Sequence, residues 1–335
     1  MKVREFADEA EWLAWRADNA VTASDVADSA TGSYGGIYAA VAKKLGLLEV
    51  EQTAEMQRGH DWEQRLADTV HTLTGYYVVG EQWGITHDLD DRFRFTADGF
   101  LARTPEATLD GLVAGYECKT TGVRVRFPWE RTKMQCQWQM VVSELPRTLL
   151  LVARIDDDDD TVKGVDYEWV EADPDVQAQL VEVAEVIYGH VQSGTLPEPD
   201  SPSALDSVKA VHAAADVDAD AVDLSDLAED IARFDEIKAA VKAVSDERDL
   251  LEARIRDAIG EATKGHLDGW RISLSQPARK LTRDAEAEML DTHPEYATAV
   301  LDRTRVKAED PELYEAFTRP VGPRRLTITP PKGDQ

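Results

Sequence analysis

The chain has little cysteine, no long apolar run and too few basic residues to balance its acidic ones. Two cysteines in 335 residues, with no metal-ligand spacing to histidine, argue against a zinc finger and against a disulfide-stabilised secreted domain. No apolar run reaches the roughly 18 residues of a membrane helix, and the polar residues 1–5 are unlike a signal peptide. We therefore expect a soluble, cytoplasmic protein with free thiols and no membrane partner.

The charge balance bears directly on possible partners. Asp plus Glu number 65 against 37 Lys plus Arg, a formal net charge of −28, which repels a polyanion at long range. A nucleic-acid-binding protein normally carries a basic surface. A local basic groove would remove the conflict, and its candidate residues are Arg16, Arg58, Arg124, Arg126, Arg131 and Lys133. The alternative is a non-catalytic acidic protein, either a DNA mimic or an assembly factor.

Apolar periodicity divides the chain into three parts. Residues 1–195 predict helices at 6–16, 37–48, 55–73, 130–143 and 174–191, and strands at 76–85, 92–100, 112–119, 147–155 and 165–170. This order predicts a mixed α/β domain, with the acidic run 156–160 as a solvated turn. Residues 196–222, acidic and rich in Pro, Ala and Ser, predict a linker. Residues 223–335 predict a mainly helical C-terminal region with short strands.

A long helix with an apolar seam is predicted at the start of the C-terminal region. Its apolar residues recur at steps of three or four, with an interruption at Arg248: Leu224, Leu227, Ile231, Phe234, Ile237, Val241, Val244, Leu251, Ile255 and Ile259. Such spacing is typical of a coiled coil, but a seam alone does not decide between self-association and an antiparallel partner in the same chain. Beyond it we expect a strand at 270–274, a helix around 285–301 and a strand near 326–328.

The residues that carry chemistry are Asp98 and the later tripeptide Glu117-Cys118-Lys119. Successive side chains of a strand point to opposite faces, so Glu117 and Lys119 share one face. Asp98 can reach the same place from the end of the preceding strand. Two carboxylates and the backbone carbonyl of Cys118 suit Mg²⁺, or Mn²⁺ in its place, because such a cation prefers oxygen ligands and retains several waters. Lys119 could orient, or help deprotonate, a water that attacks a phosphodiester.

The same residues also have a simpler interpretation. An exposed strand face often carries one acid and one base as an ion pair, and short motifs match by chance. Asp110, in a second Asp-Gly pair, is a rival to Asp98. It follows the loop-like residues 105–108, so the strand context favours Asp98.

Further polar residues could approach this cluster from two predicted helices. Glu63, on the helix before the strands, could hold a second metal directly or through water, although a lone helix glutamate is usually solvated. Gln135 and Gln139 lie four residues apart on one face of the helix after the tripeptide. A glutamine both donates and accepts hydrogen bonds, which suits a bridge between an attacking water and a phosphate. An ordinary polar helix stripe is the alternative.

Taken in order, these motifs resemble the phage-type exonucleases of the YqaJ and lambda-exonuclease family, members of the PD-(D/E)XK nuclease superfamily. The motifs are Trp12-Leu13-Ala14-Trp15-Arg16, Val21-Thr22-Ala23-Ser24-Asp25, Arg58-Gly59 with Glu63, Thr96-Ala97-Asp98-Gly99, Glu117-Cys118-Lys119 and Gln135-Cys136-Gln137-Trp138-Gln139-Met140. The resemblance implies a restriction-endonuclease-like mixed sheet flanked by helices and a nuclease domain over residues 1–195. The longer segment 101–111 and the acidic balance depart from the family's pattern.

The resemblance also implies roles for the matched residues. The catalytic positions would be Glu63, Asp98, Glu117, Lys119 and Gln135, and the metal ligands Asp98, Glu117, the Cys118 carbonyl and, directly or through water, Glu63. Arg16 and Ser24 match positions that grip a 5′-terminal phosphate, which suits a guanidinium fork and a hydroxyl at a helix start.

The implied activity is degradation of linear double-stranded DNA from its 5′ ends, which leaves 3′ single strands for phage-type homologous recombination. A single-strand annealing protein is the implied partner, and the implied oligomer is a ring-shaped trimer. Nothing in the sequence fixes the number of copies. An endonuclease could use the same metal site, since the two activities differ in the shape of the DNA channel.

Overall fold

The structure is a computed structural model that describes residues 1–17, 20–49, 54–156, 161–213, 222–276, 279–296, 301–320 and 326–329. The chain divides into two compact units, Met1–Asp218 and Ala219–Gln335. Within residues 196–222, which the sequence predicts to be a linker, residues 204–211 form a helix. Residues 214–221 of that segment, and residues 157–160 of the predicted acidic turn, lie outside the described residues.

The first unit is a mixed α/β fold, which confirms the predicted fold class. Its helices are α1 (Glu9–Ala17), α2 (Ala23–Ala30), α3 (Gly36–Lys44), α4 (Ala54–Thr74), α5 (Trp129–Ser143), α6 (Pro174–Ser193) and α7 (Ala204–Val211). Its strands are β1 (Lys2–Arg4), β2 (Val21–Thr22), β3 (Tyr77–Val79), β4 (Gly84–Thr86), β5 (Phe93–Thr96), β6 (Gly99–Ala102), β7 (Leu112–Gly122), β8 (Arg147–Ile155) and β9 (Val162–Glu171).

Two predicted strands are each divided in the structure. The segment 76–85 becomes β3 and β4, because Gly80 and Gln82 adopt positive φ angles of 68° and 59° between them. The segment 92–100 becomes β5 and β6, with Ala97 and Asp98 between them. Both breaks occur where the chain passes between two sheets, whose strand orders are β1-β4-β5-β2 and β3-β6-β7-β8-β9.

Helices cover both faces of the larger sheet. Along β8, Leu149 and Leu151 belong to one buried cluster with Leu66 of α4, whereas Leu150 belongs to another with Met140 of α5. Because strand side chains alternate between faces, α4 covers one face and α5 the other. β7 pairs in parallel with β8 along most of its length, so its side chains divide between the same two helices.

The second unit contains a long helix, short helices and short strands. The helices are α8 (Ala228–Ile259), α9 (Arg283–Thr292), α10 (Arg303–Glu309) and α11 (Pro311–Phe317), and the strands are β10 (Lys264–Leu267), β11 (Trp270–Leu274), β12 (Arg279–Leu281), β13 (Thr318–Pro320) and β14 (Leu326–Thr329). The predicted long helix and the strands at 270–274 and 326–328 are confirmed. The helix predicted around 285–301 ends at Thr292, and residues 297–300 are not among those described. None of the described helices is both long and apolar enough to cross a membrane.

Candidate active site

Glu117 is a fully buried carboxylate on the α5 face of β7. Its neighbours Tyr116 and Cys118 point to the α4 side of the sheet, so alternation directs Glu117 towards α5. Two side-chain amides on that helix donate to it: Gln135 Nε2 to Oε1 at 2.6 Å and Gln139 Nε2 to Oε2 at 2.5 Å. Each carboxylate oxygen of Glu117 therefore accepts a hydrogen bond from one of these two glutamines.

Asp98 lies beside Glu117 because of the pairing between β6 and β7. Gly99 is opposite Tyr116 in this antiparallel register, so the preceding residue, Asp98, comes next to Glu117. The backbone N–H of Cys118 donates to Asp98 Oδ2 at 2.8 Å. A Cβ at position 99 would lie 2.5 Å from Val78 Cγ1, which explains the glycine after Asp98.

Lys119 brings a positive charge to the oxygens of three residues. Its Nζ donates to the carbonyl oxygen of Cys118 at 2.9 Å and lies 3.5 Å from Asp98 Oδ2. It also forms an ion pair with Glu117 Oε1. The two carboxylates and the carbonyl that the sequence proposes as metal ligands therefore converge on one cationic nitrogen.

This donor set fits a hard divalent cation. Burial raises the pKa of Glu117, and the nearby Asp98 carboxylate raises it further, whereas Lys119 lowers it. A second positive charge would offset the remaining negative charge of the two carboxylates. Among the described residues, no group of three His, Cys, Asp or Glu side chains could hold a metal. The third protein ligand would be the Cys118 carbonyl, and water would fill the other positions, as is usual for Mg²⁺.

The proton states of the neighbouring groups limit their chemistry. Burial alone would lower the pKa of Lys119, but the carboxylates of Asp98 and Glu117 raise it above its usual value. Lys119 is therefore protonated at neutral pH and donates hydrogen bonds in this arrangement. Burial raises the pKa of the Cys118 thiol to about 12 and that of Cys136 well above its usual value. Both cysteines are free and buried, and at neutral pH neither is a thiolate nucleophile.

Glu63 lies on α4, which covers the other face of the sheet from Gln135 and Gln139. It accepts a hydrogen bond from Gln82 Nε2 at 2.9 Å. The backbone N–H of Gln82 donates to the carbonyl of Ala97, the residue before Asp98, at 2.9 Å. Gln82 thus connects Glu63 to the turn that carries Asp98.

Arg16 and Ser24 are adjacent. Arg16 Nη2 is 3.4 Å from Ser24 Oγ, and the guanidinium lies 4.8 Å from the ring centre of Trp12. The indole Nε1 of Trp12 donates to Thr96 Oγ1 at 2.8 Å. Thr96 is the last residue of β5 and precedes Asp98 by two positions, so this pair lies at the same end of β5 as the carboxylate cluster.

The start of α2 holds Ser24 in place. β2 and β5 are parallel with Thr22 opposite Arg94, so Ser24 and Asp98 both follow the carboxyl ends of adjacent strands. The backbone N–H of Thr22 donates to Asp25 Oδ2 at 2.9 Å, and its hydroxyl donates to the same oxygen at 2.6 Å. Lys44 Nζ lies 2.9 Å from that oxygen. Burial raises the pKa of Asp25, but Lys44 and Thr22 lower it more, and the result is below the usual value.

The proposed basic residues differ in their surroundings. Arg131 Nε donates to Asp28 at 2.6 Å, and Lys133 Nζ lies 2.8 Å from Glu168. These two positive charges are thus partly offset within the fold. Arg124 and Arg126 are exposed in the loop between β7 and α5, directly after the strand that carries Glu117 and Lys119.

Three residues show what the sequence could and could not indicate about the site. Asp110, the rival to Asp98, is exposed in the 3₁₀ turn Leu109–Gly111. Gln139 shares a helix face with Gln135 in the sequence, and the structure gives it an equivalent contact to Glu117. Gln82 carries no sequence signal, because its position depends on a positive φ in a loop.

No protein-family model matches the chain, and neither does any curated protein. Among solved structures, the chain is similar to an alkaline exonuclease from Laribacter hongkongensis, with 21% identity and a TM-score of 0.42, over 61% of this chain and 100% of that one. The complex of that exonuclease with dAMP gives 20% identity and a TM-score of 0.42, over 59% and 96%. A phage-related exonuclease from Haemophilus somnus 129PT gives 12% identity and a TM-score of 0.39, over 52% and 96%. At these identities the likeness assigns no role to an individual residue.

Proposed function

We propose that this protein is a metal-dependent exonuclease that degrades linear double-stranded DNA from 5′ to 3′. The observation that carries the proposal is the convergence of Asp98, Glu117 and the Cys118 carbonyl on the ammonium of Lys119. A cation, two carboxylates and a lysine at one point are the parts needed to hydrolyse a phosphodiester by metal-assisted attack of water. The resemblance of six ordered motifs to phage-type exonucleases supports the same activity.

The cation would be Mg²⁺ or Mn²⁺, one or two ions, held by Asp98, Glu117 and the Cys118 carbonyl. When bound, it would activate water and offset negative charge on the phosphate. Glu63 would act at the edge of this site, directly or through water. The amides of Gln135 and Gln139 hold the Glu117 carboxylate in one orientation, which keeps its oxygens in the position required for a ligand.

Lys119 can donate hydrogen bonds to the reacting groups. Because the two carboxylates raise its pKa, it is charged at neutral pH and can donate a hydrogen bond to a phosphate oxygen or orient the attacking water. Gln135 can also take part, since one amide both donates and accepts.

Arg16 and Ser24 would bind the 5′-terminal phosphate of the DNA strand. Arg16 is half-buried over Trp12 and directed at the Ser24 hydroxyl, so its guanidinium loses little freedom when it binds an anion. The start of α2 adds backbone N–H groups and the positive end of a helix dipole. Recognition of an end favours an exonuclease over an endonuclease. The 3′ strands left by this activity would be substrates for a single-strand annealing protein.

Degradation of defined DNA substrates tests the proposal. Purified protein with Mg²⁺ or Mn²⁺ should shorten linear duplex DNA and leave covalently closed circles intact, and EDTA should stop the reaction. Lys119→Ala should lower the rate by about 10²-fold or more, since the loss of one positioned hydrogen-bond donor to developing charge costs about 10²–10³-fold. Lys209→Ala, on the exposed surface of α7, is the matched control. Robust degradation by the Lys119→Ala protein would exclude the site.

Calorimetric titration with Mg²⁺ or Mn²⁺ separates the enzyme from the acidic DNA mimic. The unmodified protein should bind the metal, Asp98→Ala should lose the binding, and the matched Asp110→Ala should retain it. A DNA mimic would show no binding sensitive to Asp98 and no degradation of DNA. Cleavage of closed circles would instead indicate an endonuclease with the same metal site.

A further inference from the structure

The helix α8 exposes an apolar stripe along most of its length. It is 32 residues long, and none of its described side chains is buried. Phe234, Val241 and Val244 are 70%, 63% and 67% exposed. Large contiguous apolar surfaces of this kind mark contact sites, and most helices are stabilised by packing of an apolar face.

The stripe follows a seven-residue repeat, with a and d denoting the two seam positions of a coiled coil. The a positions are Leu227, Phe234, Val241, Arg248 and Ile255, and the d positions are Asp230, Ile237, Val244, Leu251 and Ala258. This regular spacing keeps the seam facing one partner along the whole helix. Two of these ten positions, Asp230 and Arg248, carry a charge, and the apolar Ile231 lies beside the seam at the next position after Asp230.

The two charged seam positions are symmetric about the middle of the apolar segment. Asp230 and Arg248 lie at equal distances before and after Ala239. They also have opposite charges and occupy the two different kinds of seam position. In an antiparallel coiled coil, a positions of one helix pack against d positions of the other, so a helix that pairs with its own copy about Ala239 brings Asp230 against Arg248 twice.

We propose that α8 pairs with α8 of a second copy of this chain, as an antiparallel coiled coil centred on Ala239. The apolar layers would then be Leu227 with Leu251, Phe234 with Val244, and Ile237 with Val241 in both directions. Every charged seam residue in these layers meets an opposite charge. A charged pair at a seam position gives up some stability and fixes register and orientation.

Four charged residues beside the seam form complementary pairs in the same register. In an antiparallel pair, each g position, which precedes an a position, lies near a g position of the other copy. The register centred on Ala239 brings Arg233 near Glu247, and Asp226 near Arg254. At the centre of the pair, Lys238 would lie near Lys238 of the other copy. Its long side chain can extend into water there.

Other arrangements of the same helix oppose the two seam charges to like charges or to apolar side chains. A parallel pair would place Arg248 against Arg248 and Asp230 against Asp230, and would also bring Glu247 near Glu252 of the other copy. An antiparallel pair moved by one heptad would oppose Arg248 to Ile237 and Asp230 to Ile255. Burying a charge without a partner is costly, so the register centred on Ala239 is the favoured one.

The size of the surface is sufficient for a stable dimer. A helix of this length spans about 48 Å. Six apolar seam side chains that each lose roughly 100 Å² of exposure would bury about 600 Å² per partner, which is at the lower end of the area of a specific interface. In the single chain, the Arg248 guanidinium donates hydrogen bonds to the adjacent, exposed carboxylate of Asp249. An exposed pair of this kind is weak, so a seam partner can replace it.

Charge exchange along the seam tests the pairing in the full-length protein. The native chain should have the mass of two copies by light scattering after size exclusion, or of six copies where its nuclease units also form the ring-shaped trimer that the resemblance implies. Arg248→Asp or Asp230→Arg should each weaken the dimer by about 100-fold or more, because like charges at an interface cost several kcal/mol. The double variant Asp230→Arg/Arg248→Asp should restore the dimer. A native monomer would overturn the proposal and leave another protein, such as an annealing partner, as the occupant of the stripe.

A parallel pair gives a different result in the same experiment, since the double variant would still oppose like charges and remain weak. Arg233→Glu should weaken the dimer less than Arg248→Asp, and Glu247→Arg should restore it. All these side chains are exposed in the single chain, so the variants should fold. Circular dichroism would verify this.

Engineered cysteines test the orientation independently. Leu227→Cys mixed with Leu251→Cys should form a disulfide between copies, and each variant alone should not, since positions 227 and 251 are about 36 Å apart along one helix. Cross-linking within each variant alone would indicate a parallel pair and overturn the proposal. The native chain is the background control, because Cys118 and Cys136 are buried. A trimer by mass would also exclude this pairing.

Discussion

Gln139 donates a hydrogen bond to Glu117 Oε2, and the other oxygen of the same carboxylate pairs with Lys119. Gln135 donates to that second oxygen. Glu117 is 0% exposed, so these contacts replace water as the source of stabilisation for its negative charge. Since burial and Asp98 raise the pKa of Glu117, the amides of α5 act in the opposite direction by favouring the ionised form.

Gln139→Leu should therefore move the acid limit of the nuclease activity to higher pH. Without the Gln139 amide, the pKa of Glu117 rises further, and the carboxylate must be ionised to hold a cation. A hydrogen bond to a charged group contributes about 1.5–3 kcal/mol, so its loss should move the acid limit upward by a measurable amount. The rate of DNA degradation measured between about pH 5 and 9 shows the change.

The matched control for this experiment is Gln137→Leu on the same helix. Gln137 donates to the carbonyl of Glu171 and accepts from the N–H of Asp173, so its loss should reduce stability without moving the acid limit. An unchanged acid limit in Gln139→Leu, with metal binding retained, would contradict the role of Gln139 in holding the charge of Glu117.

Arg16→Lys should reduce the preference for 5′-phosphorylated ends. Lysine keeps the positive charge but lacks the planar fork that binds two phosphate oxygens and stacks on Trp12. We expect the ratio of rates on phosphorylated and hydroxyl ends to fall about tenfold, with metal affinity unchanged. Arg4→Ala, whose exposed arginine pairs with Glu11, is the control. An equal ratio in the unmodified protein would show that Arg16 does not bind the terminal phosphate.

Arg124→Ser and Arg126→Ser should make DNA binding less dependent on salt. Both side chains are exposed in the loop after β7, where they could supply local positive potential in a chain of net charge −28. Each lost phosphate contact should reduce the slope of log K against log salt by about 0.9. Binding is measured by fluorescence anisotropy with metal omitted. Arg154→Ser, which removes a charge already paired with Asp166, should leave the slope unchanged, and an unchanged slope in both loop variants would remove this loop from the DNA surface.

The local part of the site could be predicted from the sequence. Strand alternation predicts that Glu117 and Lys119 share one face of β7, and helix spacing predicts that Gln135 and Gln139 share one face of α5. Both predictions depend only on backbone periodicity. The hydrogen bond between Glu63 and Gln82 depends on the left-handed backbone of Gln82, which lies in a break between two strands. Such a contact depends on how two sheets meet, and no periodic pattern encodes it.

The ends of strands and helices could likewise be predicted where local sequence sets them, but not where tertiary contacts do. β8 matches its predicted residues 147–155, because an apolar run buried on both faces has sharp ends. Helix α7 lies in a segment whose composition favours a linker, and it forms through contacts with distant residues. Ser203 accepts from the N–H of Gly35, and its hydroxyl donates to the carbonyl of Gly32. Tertiary contacts of this kind override local composition.

Asp25→Asn should destabilise the first unit at neutral pH and have less effect in acid. The native pKa of Asp25 is below the unfolded value of 3.8, so its ion pair with Lys44 contributes fully above pH 3.8 and is lost as the pH falls through the native pKa. Removing one partner of a buried pair costs about 3–5 kcal/mol. Urea unfolding of both proteins at pH 7 and below pH 3.8 gives the two free-energy differences, with the exposed Asp68→Asn as control. Equal differences at the two pH values would show that the carboxylate charge of Asp25 does not stabilise the start of α2.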